Sequence, residues 1–282
     1  IYTLSLHDAL PIWSAIRCTV NPAVPEGDIY KRLRVNKNCN VVVIGGGTAG
    51  LEAACTAAEV GCNVFLFEKS DKLGGLSEFI SDLPGKTRMK DFPRYLRTRA
   101  ERLPNLYTFL NTEASIEEIN KFHPDIVVNA TGSHPVVPPI PGLRENRAAG
   151  NLDDIFIMIN NVNAGKYPEE FCRGKKVLVM GGGAVGLDII EYFAPLGADC
   201  TIVDMLPTIG AVADPITKCS IKETFEVNHV KQYVNTAIQE VKEHSIVVKT
   251  PEGNVEELEF DLGFSADRKS TRLNSSHGRR SR

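Results

Sequence analysis

The sequence predicts an α/β fold in which one structural unit occurs twice, because a glycine motif and its flanking elements repeat at a fixed interval. An apolar run ends in the pattern G-x-G-x-x-G at residues 45–50 and again at residues 181–186. An acid, Glu68 or Asp204, follows 18 positions after the third glycine of each motif, and equivalent positions are 136 residues apart. One such motif is weak evidence, whereas two complete copies in register strongly favour a duplicated strand–turn–helix unit.

The three glycines of each motif have separate physical tasks. Gly45 allows the tight turn that leaves the strand, Gly47 lets backbone N–H groups approach a pyrophosphate, and Gly50 lets the helix pack closely on the sheet. The same tasks fall to Gly181, Gly183 and Gly186. A pyrophosphate then lies at a helix N-terminus, where unpaired N–H groups and the helix dipole favour negative charge. The two motifs therefore predict two Rossmann-like domains that bind two dinucleotides.

The acids Glu68 and Asp204 each end the strand that follows their motif. We expect both carboxylates to accept hydrogen bonds from ribose hydroxyl groups. A carboxylate at this position favours a free 2′-hydroxyl, whereas sites for a 2′-phosphate usually place an arginine there. No Arg or Lys occurs between Asp204 and Lys218. The second unit is therefore expected to prefer NADH over NADPH.

The first unit begins with a strand at residues 40–44 and continues into a helix. One face of that helix carries small and apolar residues at helical spacing: Leu51, Ala54, Cys55 and Ala58. Four further elements are expected in the order strand, helix, strand, strand: residues 63–68, 89–103, 105–112 and 125–130. Between the first two of these, the pair Gly74-Gly75 either gives backbone donors to a phosphate or makes a simple turn. The last strand closes on Ala130-Thr131-Gly132.

The second unit is expected to start near Lys175 and to follow the same plan. Its first helix places Leu187, Ile190 and Ala194 on the buried face. A helix at residues 216–227 is followed by an expected β-hairpin of residues 237–241 and 245–250, with residues 251–253 as its turn. The strand at residues 261–266 repeats the strand at residues 125–130 at the same interval of 136.

Both ends of the chain resemble translated sequencing-adapter sequence. Residues 1–12 read IYTLSLHDALPI, and residues 267–277 read DRKSTRLNSSH. We expect residues 1–12 and 267–282 to be extraneous, as in the translation of a short environmental read, so they do not enter the fold prediction. The remaining chain divides into a linker, a first domain, a connection and a truncated second domain: residues 13–39, 40–142, 143–174 and 175–266.

Composition disfavours several classes of function. The totals of 32 basic and 35 acidic residues become 26 and 33 once the two ends, with six basic and two acidic residues, are left out. This acidic balance disfavours binding to nucleic-acid phosphates, and no apolar stretch is long enough to cross a bilayer. The seven cysteines include no CxxC pair, so a reducing compartment, the cytoplasm, is expected. Six of them are interpreted as small core residues: Cys39, Cys55, Cys62, Cys172, Cys200 and Cys219.

The motifs taken together resemble the old-yellow-enzyme-related NADH:flavin oxidoreductases, in their C-terminal half. That group includes 2,4-dienoyl-CoA reductase, enoate reductases and trimethylamine dehydrogenase. The resemblance rests on G-G-G-x-A-G-L-E-A-A, F-E-K-x-x-x-L-G-G, A-T-G-S-x-P and I-P-G, on the second glycine motif, and on residues 17–22 and 83–86. It implies an FAD domain that is interrupted by an NAD(P)H domain, preceded by an FMN-binding barrel and a [4Fe–4S] site. In this chain both domains would be truncated.

The resemblance also implies residue roles. The positions that match the FAD site of the family are Gly45, Gly47, Gly50, Glu68, Lys69, Gly74, Gly75, Ala130, Thr131 and Gly132. Those that match the nicotinamide-cofactor site are Gly181, Gly183, Gly186 and Asp204. Cys18, within R-C-T-V-N-P, matches the last ligand of the iron–sulfur cluster and is the one metal-ligand candidate.

The implied reaction passes electrons from NADH to FAD, through the cluster to FMN, and reduces the C=C bond of an enoate, enoyl-CoA or related enone. The substrate would bind in the barrel, so no catalytic side chain is expected here. His123, His134, His229 and His244 show no triad or metal spacing. The segment by itself is expected to be inactive. Two alternatives stay open: an electron-relay or structural module that binds ADP or FAD, as in trimethylamine dehydrogenase, and a flavoprotein similar to the small subunit of glutamate synthase.

Overall fold

The structure is a computed structural model that describes residues 20, 34–211, 213, 215–266 and 268–271. The chain divides into two compact units, Ile1–Gly132 and Ser133–Arg282. Each unit contains one parallel sheet flanked by helices, as the duplicated motif predicts. The α/β fold class with two Rossmann-like units is therefore confirmed.

The sheet of the first unit has four parallel strands in the order β3-β2-β1-β4. Their bounds are Asn40–Ile44 for β1, Asn63–Phe67 for β2, Leu106–Phe109 for β3 and Ile126–Asn129 for β4. Strands β1 and β2 pair from Asn40 opposite Asn63, so the two strands end side by side. Near-continuous apolar runs such as N-V-V-V-I suit strands that are covered on both faces.

The helices of the first unit have the bounds Thr48–Glu59 for α1, Leu76–Ile80 for α2, Asp91–Glu101 for α3 and Ile116–Asn120 for α4, with a 3₁₀ turn at Thr87–Lys90. Helix α1 packs on this sheet, and α3 packs on α1. Helix α1 buries the predicted face of Leu51, Ala54, Cys55 and Ala58. Leu96 of α3 belongs to the same core. The small α1 side chains bring the helix close to β1, which positions its N-terminus beside the glycine motif.

The sheet of the second unit has five parallel strands in the order β6-β13-β7-β8-β9. Their bounds are Leu152–Asp153 for β6, Lys176–Met180 for β7, Asp199–Val203 for β8, Lys231–Tyr233 for β9 and Leu262–Ser265 for β13. Strand β13 pairs with β7 as β4 pairs with β1, which confirms the predicted repeat at an interval of 136 residues.

The described residues of the second unit also form five helices. They are α5 Leu143–Ala149, α6 Ile155–Asn163, α7 Glu169–Cys172, α8 Ala184–Phe193 and α9 Pro215–Val227, with a 3₁₀ turn at Ala194–Leu196. Helix α8 buries Leu187 and Ile190, and Ala194 beyond its end is also buried, as predicted. Phe193 packs against Tyr167 and Phe264 in an aromatic cluster.

The expected hairpin is a three-stranded antiparallel sheet instead. Its strands are β10 Ala237–Val241, β11 Ser245–Lys249 and β12 Val255–Glu259. The turn at residues 251–253 therefore joins β11 to β12, not β10 to β11, and the prediction was wrong on this point. The short β10–β11 connection lacks Gly, Pro or Asn, and Lys242 closes it by donating its N–H to the Ser245 carbonyl at 2.8 Å. Strand β12 was missed because the sequence V-E-E-L-E is mostly charged and largely exposed.

A separate two-stranded sheet pairs β5 Ser133–Val136 antiparallel to β14 Arg268–Thr271. Strand β14 belongs to residues 267–282, which the sequence predicts to be extraneous. Residues 1–12, the other predicted extraneous segment, lie outside the described residues. In the described part of the chain, none of the helices combines the length and apolar character needed to span a membrane.

Five of the six cysteines expected in the core are buried: Cys39, Cys55, Cys62, Cys172 and Cys200. Burial raises the pKa of the Cys200 thiol to about 12, so it stays protonated at neutral pH. Cys219 is exposed, and for this residue the prediction was wrong. It lies on α9 two positions before buried Ile221, and two positions along a helix turn a side chain to the opposite face.

Candidate dinucleotide-binding sites

The first glycine motif leaves strand β1 in a conformation that requires glycine. Gly45 has φ +102°, and an added Cβ would lie 2.4 Å from the carbonyl oxygen of Ala130. An added Cβ on Gly50, in the first turn of α1, would lie 1.8 Å from the carbonyl oxygen of Gly45. The predicted tasks of these two glycines, the tight turn and the close helix packing, match this geometry.

Gly47 differs from its neighbours because the space beside it is open. Apart from adjacent chain, the described residues place no heavy atom within 4 Å of an added Cβ at Gly47. It is the N-cap of the 12-residue helix α1, and among the described residues no side chain caps this end. An uncapped helix N-terminus that faces open space fits a pyrophosphate group. These residues therefore fit the phosphates of the dinucleotide that the motif predicts.

Glu68 follows strand β2 and bonds to the glycine motif itself. Its Oε2 accepts a hydrogen bond from the Gly46 N–H at 2.6 Å, and its Oε1 accepts from the N–H and the hydroxyl of Ser70, both at 2.8 Å. Burial would raise the pKa of Glu68, but these hydrogen bonds and the nearby charge of Lys69 outweigh it, and the pKa is lowered. The side chain is therefore a charged acceptor that also fixes the loop.

The pair Gly74-Gly75 packs against the same loop. The Gly74 N–H donates to the Gly46 carbonyl at 2.9 Å. Gly75 has φ +60°, and an added Cβ would lie 2.9 Å from the Cα of Gly47. The two backbones are thus in contact. The sequence left two interpretations open, backbone donors to a phosphate and a simple turn, and the structure adds that the pair is held against the glycine loop.

Ala130, Thr131 and Gly132 follow strand β4 at the same end of the sheet. The Ala130 N–H donates to the Ile44 carbonyl at 2.8 Å, which places this segment beside Gly45. Thr131 and Gly132 are exposed, and so is Lys69. Three chain segments meet at the carboxyl end of the first sheet: residues 45–50, 68–75 and 130–132. They contain every residue that the resemblance assigns to the FAD site. This edge is where parallel α/β sheets bind ligands.

The second glycine motif repeats this construction. An added Cβ on Gly181 would lie 3.0 Å from the Ala266 carbonyl oxygen, and one on Gly186 would lie 2.0 Å from that of Gly181. Gly183 is the N-cap of α8. As at Gly47, an added Cβ on Gly183 would have no heavy atom of the described residues within 4 Å, except those of its neighbours in the chain. Asp204 accepts hydrogen bonds from the N–H groups of Gly182 at 2.5 Å and Leu206 at 2.7 Å.

The surface that follows Asp204 is apolar. Met205 is 72% exposed and Leu206 is 46% exposed. The next cation along the chain, Lys218, is on α9. The carboxylate therefore has no cationic neighbour from the chain segment that follows it, which is the arrangement expected for a site that selects a free 2′-hydroxyl.

The sequence analysis did not identify the residues that contact the middle glycine of each motif. An added Cβ on the middle glycine, Gly46 or Gly182, would lie 2.5 Å from a Leu73 methyl carbon or 2.6 Å from an Ile209 methyl carbon. The Gly210 N–H donates to the Gly182 carbonyl at 2.8 Å, as Gly74 does in the first unit. The signal was available, because Leu73-Gly74 and Ile209-Gly210 are also 136 residues apart.

The metal-ligand candidate Cys18 lies outside the described residues. Within the described part of the chain, His, Cys, Asp and Glu residues form no group of three or more that could hold a metal ion. His123 and His229 are turn residues with positive φ, at 43° and 53°, and His244 is next to Glu243, 3.7 Å from its carboxylate.

Comparisons with known proteins agree with this geometry. Residues 96–269 match the family described as pyridine nucleotide-disulphide oxidoreductase, and residues 40–79 match the family described as FAD dependent oxidoreductase. An NADH oxidase of Thermoanaerobacter brockii is 35% identical over 242 residues, which cover 84% of this chain and 35% of the relative. A bilirubin reductase of Mediterraneibacter gnavus is 32% identical over 250 residues, which cover 88% of this chain and 37% of the relative.

Among solved structures, a complex of 2-naphthoyl-CoA reductase with 2-naphthoyl-CoA superimposes with a TM-score of 0.73 and 26% identity, covering 90% of this chain and 37% of that protein. The chain thus spans a little over a third of the length of these proteins. The resemblance to the FAD- and nicotinamide-binding half of the old-yellow-enzyme-related oxidoreductases is confirmed. The chain belongs to the pyridine nucleotide-disulphide oxidoreductase family of flavin-dependent oxidoreductases.

Proposed function

We propose that this chain is the FAD- and NADH-binding half of an iron–sulfur flavoprotein that reduces a C=C bond of an enoate, enoyl-CoA or related enone. The observation that supports the proposal most is the pair of open spaces at Gly47 and Gly183. Each lies in front of a helix N-terminus that none of the described side chains caps, and beside a loop that an acid holds by a hydrogen bond. Two such sites in one chain suit a protein that binds a flavin dinucleotide and a nicotinamide dinucleotide together.

The chain's own residues bind and orient both dinucleotides. The N-termini of α1 and α8 would bind the pyrophosphates, with Gly47 and Gly183 leaving room for the phosphate oxygens. Glu68 and Asp204 would accept from ribose hydroxyls while they hold the glycine loops by the N–H groups of Gly46 and Gly182. When bound, FAD would accept two electrons from NADH and would donate them one at a time to the cluster and FMN.

The reductase assignment is supported by the relatives named as a bilirubin reductase and a 2-naphthoyl-CoA reductase. The cluster ligand Cys18 and the substrate-binding barrel belong to this proposal through the resemblance. We also propose that the small-molecule substrate binds outside the residues described here, and that the protein acts in the cytoplasm without a nucleic-acid or membrane partner.

The test uses the full-length protein, reconstituted with its flavins and iron. Anaerobic addition of NADH is expected to bleach the flavin absorbance, and a later addition of an enoate such as cinnamate is expected to restore it with saturation of the C=C bond. A flavin that NADH does not reduce would instead indicate a module that binds ADP or FAD for structure or relay. A flavin reduced by NADH but reoxidised by no unsaturated carbonyl compound would contradict the reductase assignment.

A further inference from the structure

Helix α3 presents an arginine to the glycine pair of the first site. Arg97 Nη1 donates hydrogen bonds to the Leu73 carbonyl oxygen and to Glu78 Oε2, both at 2.9 Å. The two side chains are only partly exposed, at 29% for Arg97 and 32% for Glu78. Arg97 therefore bridges the residue before Gly74 and the first turn after Gly75.

The bridged segment is the one that touches the glycine loop. The Leu73 side chain covers Gly46, the Gly74 N–H donates to the Gly46 carbonyl at 2.9 Å, and Gly75 lies against Gly47. Both glycines of the pair have positive φ, at 124° and 60°, and glycine gives the backbone little stiffness of its own. The position of the glycine pair consequently depends on contacts from outside the pair, and Arg97 supplies side-chain hydrogen bonds to the residues on both sides of it.

Helix α3 is itself tied to the helix that begins at the loop. Arg99 donates to both Glu59 oxygens, at 2.5 and 2.8 Å, and to Glu52 at 2.6 Å, and both acids are on α1. These contacts hold the pKa of Arg99 above its usual value, although burial opposes them. A bidentate, partly buried arginine pair is geometrically specific. Arg97 thus lies on a helix whose position relative to α1 is fixed by the Arg99 contacts.

We propose that Arg97 is a positioning residue for the first dinucleotide site: it holds Gly74 and Gly75 against Gly46 and Gly47, and so keeps the glycine loop in the conformation that admits the FAD pyrophosphate at the N-terminus of α1. It contacts the Leu73 carbonyl and Glu78, not the ligand. The inference rests on the proposed assignment of this site to FAD. Exposed ion pairs contribute little to stability, but this one also holds a backbone carbonyl that borders the site, so its effect falls on ligand affinity.

The same helix offers a matched control. Arg94 pairs with Asp91 at 2.7 Å and is 65% exposed, and this pair does not involve the segment 73–78. Arg97→Met and Arg94→Met therefore remove the same charge from the same helix, but only the first removes the support of the glycine pair. Arg97→Lys keeps the charge and one donor, and Glu78→Gln leaves the contact with the Leu73 carbonyl in place.

The experiment measures the Kd for FAD on the full-length protein after removal of FAD, well below the unfolding temperature of each variant, together with the Kd for NADH. Arg97→Met is expected to raise the Kd for FAD about tenfold, consistent with one lost charge-assisted hydrogen bond. Arg97→Lys is expected to recover part of that loss, and Arg94→Met to leave the Kd unchanged. The Kd for NADH should not move in any variant.

An equal loss in Arg97→Met and Arg94→Met, or no loss in Arg97→Met, would overturn the positioning role. If Arg97→Met does not fold, Glu78→Gln decides the matter, since the proposal expects it to raise the Kd for FAD by a smaller factor. The Kd for ADP is measured in parallel. Wild-type protein that binds ADP as tightly as FAD would count against the assignment to FAD, whereas the Arg97 comparison could still be made with ADP.

Discussion

The two glycine loops are built alike, but the segments behind them are supported by different kinds of contact. In the first unit Gly74 packs next to Pro93 and next to Arg97 and Glu78, which form an ion pair. In the second unit the equivalent residue, Gly210, packs next to methyl groups of Ile221 and Leu187. The backbone hydrogen bond from this glycine to the loop is the same in both, at 2.9 and 2.8 Å.

This difference separates what the motif requires from what it tolerates. The glycines, the acid and one backbone hydrogen bond recur in both units, so they define the loop. The outer support includes an ion pair in one unit and consists of apolar contacts in the other, so the loop does not require an ion pair. The strength of an ion pair depends on its charges and on the direction of its hydrogen bonds, whereas the strength of apolar contacts depends on how closely the side chains fill the available volume.

The largest effect is expected where an added methyl group meets a carbonyl oxygen. Gly50→Ala and Gly186→Ala each place a Cβ about 2 Å from the oxygen of the first glycine. Such overpacking is expected to cost on the order of 3 kcal/mol of unfolding free energy. Gly50→Ala protein should be purified without FAD, and Gly186→Ala protein should keep FAD but not oxidise NADH. Thermal unfolding and flavin content measure both effects, and a stable Gly50→Ala protein with full flavin would refute the packing argument.

A smaller effect, confined to the ligand, is expected at the open glycines. Gly47→Ala and Gly183→Ala each add a Cβ in open space: among the described residues, only the neighbours in the chain lie within 4 Å of it. The free energy of unfolding without cofactor should therefore change little. Gly47→Ala is expected to weaken FAD binding about tenfold, or ~1.4 kcal/mol, and Gly183→Ala to weaken NADH binding similarly. Titration of each variant with both cofactors tests the assignment, and loss of the wrong cofactor would reverse the roles of the two units.

The choice between NADH and NADPH sharpens the comparison of the two acids. Asp204→Ser removes a negative charge that would repel a 2′-phosphate, and Glu68→Ser removes the equivalent charge from the first site. We expect Asp204→Ser to shift the ratio of kcat/KM for NADH over NADPH toward NADPH by on the order of tenfold. Glu68→Ser should leave this ratio unchanged. Equal use of both cofactors by the unmodified protein would contradict the role of Asp204.

The smallest effect concerns the pH dependence of the first unit. The pKa of Glu68 is lowered from its usual 4.5, so its charged form stabilises the folded state at higher pH. That stability is present above pH 4.5 and is lost as the pH falls through the lower, folded-state pKa. Glu68→Gln should unfold with a weaker dependence on acid, measured as the midpoint of acid unfolding followed by flavin release. An unchanged acid profile would mean that Glu68 does not hold the loop through its charge.

Much of the fold and most of the candidate site could be predicted from the sequence, because both depend on local patterns. The glycine spacing identified the turns, the interval of 136 residues identified the repeat, and the apolar face of α1 was buried as predicted. The hairpin prediction was wrong because its true turn and its third strand have no local sequence pattern. A turn without Gly or Pro and a charged strand, β12, give no local signal, and only pairing with β11 forms that strand.

Sterics and strand periodicity act within a few residues, so the amino-acid sequence is enough to predict the two strand–turn–helix units, their glycines and the acid that ends each second strand. Three features became visible only in the folded chain: Glu68 and Asp204 hold the loops, Cys219 is exposed, and Arg97 supports Gly74. The Arg97 contacts join residues 19 and 24 positions apart through a helix that is fixed by packing on α1. No local pattern records such a contact, since it exists only after the helix has docked.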